Sequence, residues 1–220
     1  MIRRASLVFL IFTLAVVVGA SCYIGLLNNF AFRLASGENF SYANFSNVKE
    51  IKLSKNYLDP YFKLYIDYEV APFSGGYHDL FQTSDVNSGV RMEFTDRTSA
   101  IVYATADGSG GFGVQIHNLV RLNHRQSMTV RAIDGKYVWV EDSETGDHYV
   151  ASPIPHFTLN HILIGQGFDS SRAFFGKIYK VNFSVCEYKV YRNVLIFMYF
   201  FVLVFYSICF YALASIFVKK

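Results

Sequence analysis

The chain is poor in the residues that build stapled or metal-held scaffolds. It has three cysteines in 220 residues. Cys22 and Cys209 lie inside apolar segments and Cys186 stands just outside the second, so no disulfide framework can be read and the fold must hold by packing. A Cys22–Cys186 bridge would need both residues at the same membrane face; three free thiols is the simpler reading. The six histidines (78, 117, 124, 148, 156 and 161) contain no HxH or HxxxH pair, which removes the usual zinc spacing. No GxSxG turn and no phosphate-cradling glycine loop occurs. Charge is scarce as well. Of the 20 Lys and Arg, 16 lie between residues 28 and 192 with all 17 acids. The region between the apolar ends is therefore near neutral and lacks the basic footprint of a nucleic-acid binder.

What is abundant is apolar sequence at both ends. Leu7 to Leu27 carries no charge over 21 residues, enough to cross a bilayer of about 30 Å at about 1.5 Å per residue. Val18-Gly19-Ala20 offers a cleavage site before Ser21, as in a signal peptide. The run continues past it through Tyr23, Ile24, Leu26 and Leu27, which fits an uncleaved anchor better. Val194 to Val218 is a second uncharged stretch, of 25 residues, ending at Lys219-Lys220. With Arg3-Arg4 before the first, the positive-inside bias predicts both termini in the cytoplasm and the intervening domain outside it. Residues 188–193 read as a juxtamembrane linker, with Tyr188 and Tyr191 at the interface. In the second helix Tyr199 and Tyr206 share a face with Ser207 beside them. Hydroxyls at membrane depth want partners, so these three are docking candidates for another membrane protein or for the first helix.

Between the ends, room remains for one domain of about 160 residues. Residues 28–56 read as a Phe/Asn/Ser-rich approach with one weak strand, Val48 to Leu53. Its Asn-Phe-Ser triplets at 39 and 44, with the one at 182, are glycosylation acceptors only in a cell that glycosylates them, and three are too close to the roughly one or two expected by chance to carry a reading. From 57 to 187 the pattern is β. Phe62, Leu64, Ile66, Tyr68 and Val70 alternate with Lys63, Asp67 and Glu69; Val90, Met92 and Phe94 alternate with Arg91 and Glu93. Ser99 to Thr105 and Phe112 to Ile116 read as a strand pair around Asp107–Gly111. No helical periodicity interrupts them, which predicts an antiparallel β-sandwich.

The stretch from His161 to Val185 reads as two antiparallel strands joined by a loop. Leu163-Ile164-Gly165, then a polar loop, then an aromatic with Gly176 and Ile178, resembles the closing strands of laminin-G-like domains in the concanavalin A-like lectin/glucanase superfamily. Its apolar phase slips by one residue near Tyr179-Lys180, which predicts a β-bulge. Met128 to Asp142, turning at Asp134-Gly135, is similar to paired strands of the same family. The resemblance covers roughly Lys63 to Val185. It implies an all-β, antiparallel jelly-roll sandwich, here flanked by N- and C-terminal transmembrane helices.

For chemistry, the strand after Asp134-Gly135 turns Val138 and Val140 one way and Tyr137, Trp139 and Glu141 the other. An aromatic pair beside acids is how a sheet face stacks on sugar rings while bonding their hydroxyls; a second buried face is the plain alternative. Asp107 joins them as a glycan candidate and as a weak calcium ligand, since members of the resembled family often carry calcium at the sandwich rim; the loop also reads as a plain hairpin connection. Glucanases of that superfamily use a Glu-x-Asp-x-x-Glu strand motif, absent here. The nearest acids, Glu141, Asp142 and Glu144, have the wrong spacing and read as a polar loop. The expectation is a membrane-tethered, non-catalytic lectin-like module binding a glycan or glycosylated partner outside the cytoplasm. Alternatives are an accessory subunit docked by its helices on a membrane enzyme or transporter for cell-surface polysaccharide, and, weakest, an unrecognised glycosidase.

Overall fold

The structure, a computed structural model, describes residues 24–45, 49–83, 89–95, 99–106, 109–167 and 172–218. Most of the first apolar run, Cys22 and Asp107 lie outside these residues. Helix α1 occupies residues 24–35. Twelve strands follow: β1 (Glu38–Phe45), β2 (Lys49–Tyr57), β3 (Pro60–Val70), β4 (His78–Thr83), β5 (Gly89–Phe94), β6 (Ala100–Ala106), β7 (Ser109–Ile116), β8 (Arg125–Ile133), β9 (Tyr137–Asp142), β10 (His148–Ala151), β11 (Leu159–Ile164) and β12 (Gly176–Glu187). Helix α2 is Tyr188–Val218. The strands make two six-stranded sheets, β1-β12-β3-β8-β9-β10 (sheet I) and β2-β11-β4-β5-β6-β7 (sheet II).

Every pairing between the named strands is antiparallel. Period-two alternation sends one side of each strand inward. Phe62, Leu64, Ile66, Tyr68 and Val70 of β3 are all buried, as are Val90, Met92 and Phe94 of β5. The two sheets meet through rings: Tyr68 lies 6.0 Å from Phe94, and Phe174 contacts both, at 6.1 and 5.8 Å. Such offset and edge-on pairs hold the layers together beyond the area they bury. Tyr68 takes its hydroxyl into this core, where it accepts a hydrogen bond from Gln126 Nε2 at 2.6 Å and so avoids an unpaired buried group.

Several expectations are met. β8 and β9 pair around Asp134-Gly135, where Gly135 takes a positive φ of 61°. β6 pairs with β7. The register of β12 on β3 shifts between Ile178 and Lys180, the bulge that the apolar phase slip requires.

Others need correction. The approach segment 28–56 is structured throughout its described part: α1, then β1 and β2, so the sandwich begins at Glu38 rather than at 57. β1 escaped notice because it is an edge strand whose Asn39 and Ser41 face solvent; only Phe40 and Tyr42 pack on the core. The predicted linker 188–193 does not exist, since β12 runs straight into α2. Its first two amides are capped by Asp59: Tyr188 N donates to the carbonyl at 2.7 Å and Lys189 N to Oδ2 at 3.2 Å. The strands of His161–Val185 do not pair with each other: β11 lies between β2 and β4 in sheet II, and β12 between β1 and β3 in sheet I.

Among the described residues one helix, α2, is long and apolar enough to cross a membrane. Its Phe197, Phe200, Phe201 and Leu203 are exposed, which no soluble core helix would show. Tyr191 near its start donates to Asn28 Oδ1 at 3.3 Å and meets Phe32 of α1 edge-on.

Gly176 opens β12 at φ +154°, and an added Cβ would sit 1.9 Å from the Glu69 carbonyl oxygen, an atom of the paired backbone that cannot step aside. Gly176→Ala is expected to lower stability by about 2 kcal/mol or more, read as a fall in the melting temperature of the full chain in detergent.

Candidate functional site

The outer face of sheet I holds three of the four predicted glycan residues. Strand register sets Lys63, Arg131, Trp139 and Val150 in one row across β3, β8, β9 and β10, and Tyr65, Thr129, Glu141 and His148 in the next. Trp139 is half-buried, with the Arg131 guanidinium 4.4 Å from its ring and His148 stacked at 6.2 Å. Arg131 Nη2 lies 3.9 Å from Glu141 Oε2. The indole is thus flanked by cation and imidazole, which leaves a narrower platform than the sequence pattern implies. Tyr137 is on the same face but beside a buried row of Tyr61, Ile133 and Cys186; burial raises its phenol above the usual range.

Two of the acids after Trp139, Asp142 and Glu144, are bonded to Arg121 at the turn that follows β9. Asp142 is the buried last residue of β9 and accepts both oxygens' worth of bonding from Arg121 Nη2, at 3.2 and 3.0 Å; Glu144 lies 3.3 Å from the same nitrogen. His124 also meets Glu144, at 3.2 Å. The predicted polar loop is therefore a fastened turn.

A concavity that sequence reasoning missed lies on sheet II. A cleft of about 590 Å3 is lined by Tyr77, Arg91, Glu93, Ile101, Gly113, Gln115 and Arg172. Arg172 Nη1 donates to Glu93 Oε1 at 2.6 Å, and Arg91 Nε lies 3.3 Å from the same oxygen. The Arg172 guanidinium also stands 5.5 Å over the Tyr77 ring. Two forks converging on one carboxylate hold each other in place. The outward alternation of Arg91 and Glu93 in β5 was visible in the sequence. The arrival of Tyr77 and Arg172, from segments before β4 and before β12, was not, because neither belongs to a periodic element.

Beneath the cleft sits Asp79, directly opposite Glu93 in the β4–β5 pairing and 1% exposed. Neither of its carboxylate oxygens meets a donor among the described residues. Gly167 closes over it so tightly that a Cβ there would fall 1.8 Å from Oδ2. Burial first, and the Glu93 charge second, push its carboxyl up to about 7. Protonation of Asp79 relieves both its own burial and its repulsion by the Glu93 charge.

On α2, an apolar furrow of about 510 Å3 runs along Phe200, Leu203, Val204, Ser207, Ile208 and Tyr211. It includes one docking candidate, Ser207, and neither Tyr199 nor Tyr206. The Ser207 hydroxyl donates to the Leu203 carbonyl at 2.9 Å, so it is satisfied within its own helix.

Among the described residues no cluster of three or more His, Cys, Asp or Glu is placed to hold a metal. Cys186 is buried, which pushes its thiol up to about 12.

The raised Asp79 carboxyl makes a signed prediction. An acid protonated in the folded state and ionised in the unfolded one contributes stability that is full below about pH 4 and lost as pH rises towards 7. Asp79→Asn keeps the neutral shape without the titration. Its melting temperature relative to the unsubstituted chain should rise steadily between about pH 4 and pH 8, by the equivalent of a few kcal/mol; a pH-independent difference would refute a protonated Asp79.

No protein-family model and no curated protein sequence matches the chain. Solved structures do. Mouse laminin alpha1 chain domains LG4-5 align over 66% of this chain at 10% identity and TM-score 0.48; the chain spans 40% of that fragment. Ruminococcus gnavus IT-sialidase CBM40 bound to alpha2,3 sialyllactose aligns over 69% of this chain and 92% of its own length, at 14% identity and TM-score 0.49. CG-16, a homodimeric agglutinin from chicken liver, aligns over 67% of this chain and all of its own, at 8% identity and TM-score 0.42.

Proposed function

We propose that the chain is a non-catalytic, lectin-like binding module held at a membrane by α2, taking a glycan in the cleft of sheet II. The observation that carries this reading is the cleft itself. It offers one exposed aromatic ring, Tyr77, for a sugar face, with two guanidiniums, a carboxylate and the Gln115 amide for hydroxyls. Such a mixture of donors and acceptors around a ring suits a polyol better than an apolar ligand. Acids poised for glycoside hydrolysis would stand across an open cleft. Glu93 instead is neutralised by arginines and Asp79 is closed over by Gly167.

Tethering rests on α2, and the basic pairs Arg3-Arg4 and Lys219-Lys220 favour termini in the cytoplasm and a sandwich outside it. Calcium has its sequence candidate, Asp107, outside the described residues. The Trp139 face is the alternative glycan surface, because an indole beside Arg131 and Glu141 can stack and hydrogen-bond together. The furrow on α2 favours a different role, an accessory subunit docked on a larger membrane protein; that reading requires a stoichiometric partner on gentle extraction from the native membrane.

The test is glycan binding by the full-length protein in mild detergent, with and without calcium. Tyr77→Ala and Arg172→Ala should each weaken binding about tenfold or more, whereas Trp139→Ala should leave it within about twofold. The reverse pattern moves the site to sheet I, and no binding by the folded protein to any glycan ends the lectin reading.

A further inference from the structure

One end of the sandwich is marked out by strand register. Pro60 pairs with Glu187, and Tyr61 with Ile133, which pairs with Tyr137. The β2–β3 turn at Leu58-Asp59, the β8–β9 turn at Asp134-Gly135-Lys136 and the junction of β12 with α2 therefore share a single rim. Hydrogen bonds tie them. Asp134 N donates to the Pro60 carbonyl at 3.0 Å, and Asp59 caps Tyr188 and Lys189. Lys136 stands 5.0 Å over the Tyr188 ring. A third loop is pinned here by His156, whose Nδ1 meets Asp134 Oδ2 at 2.8 Å, and by Phe157 N, which donates to Asp134 Oδ1 at 2.6 Å.

This rim presents an unusual mixture. Leu58, at a turn tip, is 72% exposed, and the His156 side chain is 86% exposed. The bond that its Nδ1–H donates to the Asp134 carboxylate raises the His156 imidazole above its ordinary value and favours the cation. An isolated surface leucine is ordinary. This one stands on the turn whose carbonyl and carboxylate fasten the first residues of the apolar helix.

We propose that this rim is a lipid-contacting surface: Leu58 enters the headgroup layer of the bilayer that α2 crosses, with Lys136 and His156 against lipid phosphates and Tyr188 in the interfacial belt. The proposal rests on α2 being membrane-embedded. The argument is continuity. With no linker between β12 and α2, and with Asp59 clamping the junction, the uncharged run that starts at Val194 follows within two helical turns of the rim. Aromatic residues favour that depth, and cations near the surface gain from anionic lipid. A protein partner or a second copy would place the same leucine away from lipid.

The full-length chain supplies its own control, because Trp139 is the single tryptophan. Leu58→Trp in a Trp139→Phe background is reconstituted in nanodiscs of phosphatidylcholine and phosphatidylglycerol whose acyl chains are brominated near the headgroup. The indole at position 58 should lose at least half its fluorescence to bromine, while Trp139 in the otherwise unaltered chain loses almost none. No quenching at position 58, in discs that retain the protein through flotation, overturns the proposal, as does equal quenching at both positions. Protein that fails to float with the discs defeats the membrane reading of α2 first, and this inference with it.

Discussion

The structure depends most on how β12 is paired. The strand is bonded on both edges, to β1 over Phe45 to Glu38 and to β3 along nearly its whole length. Its inward residues Val181, Phe183 and Val185 are completely buried, with Phe183 between Phe62 at 5.8 Å and Phe40 at 6.3 Å. Its far end becomes α2 without a break. One strand thus sets the register of sheet I, supplies part of the core and connects the domain to its apolar helix. The bulge at Ile178–Lys180 lets it do so, because without that extra residue its two halves would present opposite faces to the core.

The second organising constraint is charge at the surfaces of the sheets. Sheet I carries cross-strand arginine pairs with acids and rings: Arg125 with Asp67 at 2.6 and 2.9 Å and over Tyr179, and Arg131 over Trp139. Sheet II gathers its arginines around Glu93 at a concavity. Exposed pairs of the first kind contribute little to stability and mostly keep a face soluble. The second kind sits over a buried acid with no donor among the described residues, an expensive arrangement that packing alone does not require. That contrast is why the cleft, rather than the tryptophan face, carries the binding proposal.

Membrane attachment and binding bear on each other through the junction. Because α2 begins where β12 ends, no intervening linker adds reach between the last strand and the apolar helix. If α2 is membrane-embedded as proposed, that short tether suits a membrane-linked polymer or a glycosylated neighbour as ligand. The shared rim of Leu58, Lys136 and His156 would make that closeness a property of the fold and not only of tether length.

The sequence by itself determined the class of the domain and most of its inward faces, because burial on one side of a strand writes a period of two that nothing else imitates. It also determined the apolar length of α2, the Asp134-Gly135 turn and the bulge in β12, each of which is a local constraint. Edge strands β1 and β10 were not legible, since half-solvated pairing leaves little hydrophobic signature, and β4 was missed as well. Only the tertiary structure decided that β11 and β12 belong to different sheets, that Asp142 is held by Arg121, and that Asp79 faces Glu93 beneath Tyr77, Arg91 and Arg172. Those facts depend on which strands become neighbours. Pairing is settled by the packing of the whole core, and residues more than ninety positions apart, such as Asp79 and Arg172, carry no local sign of it.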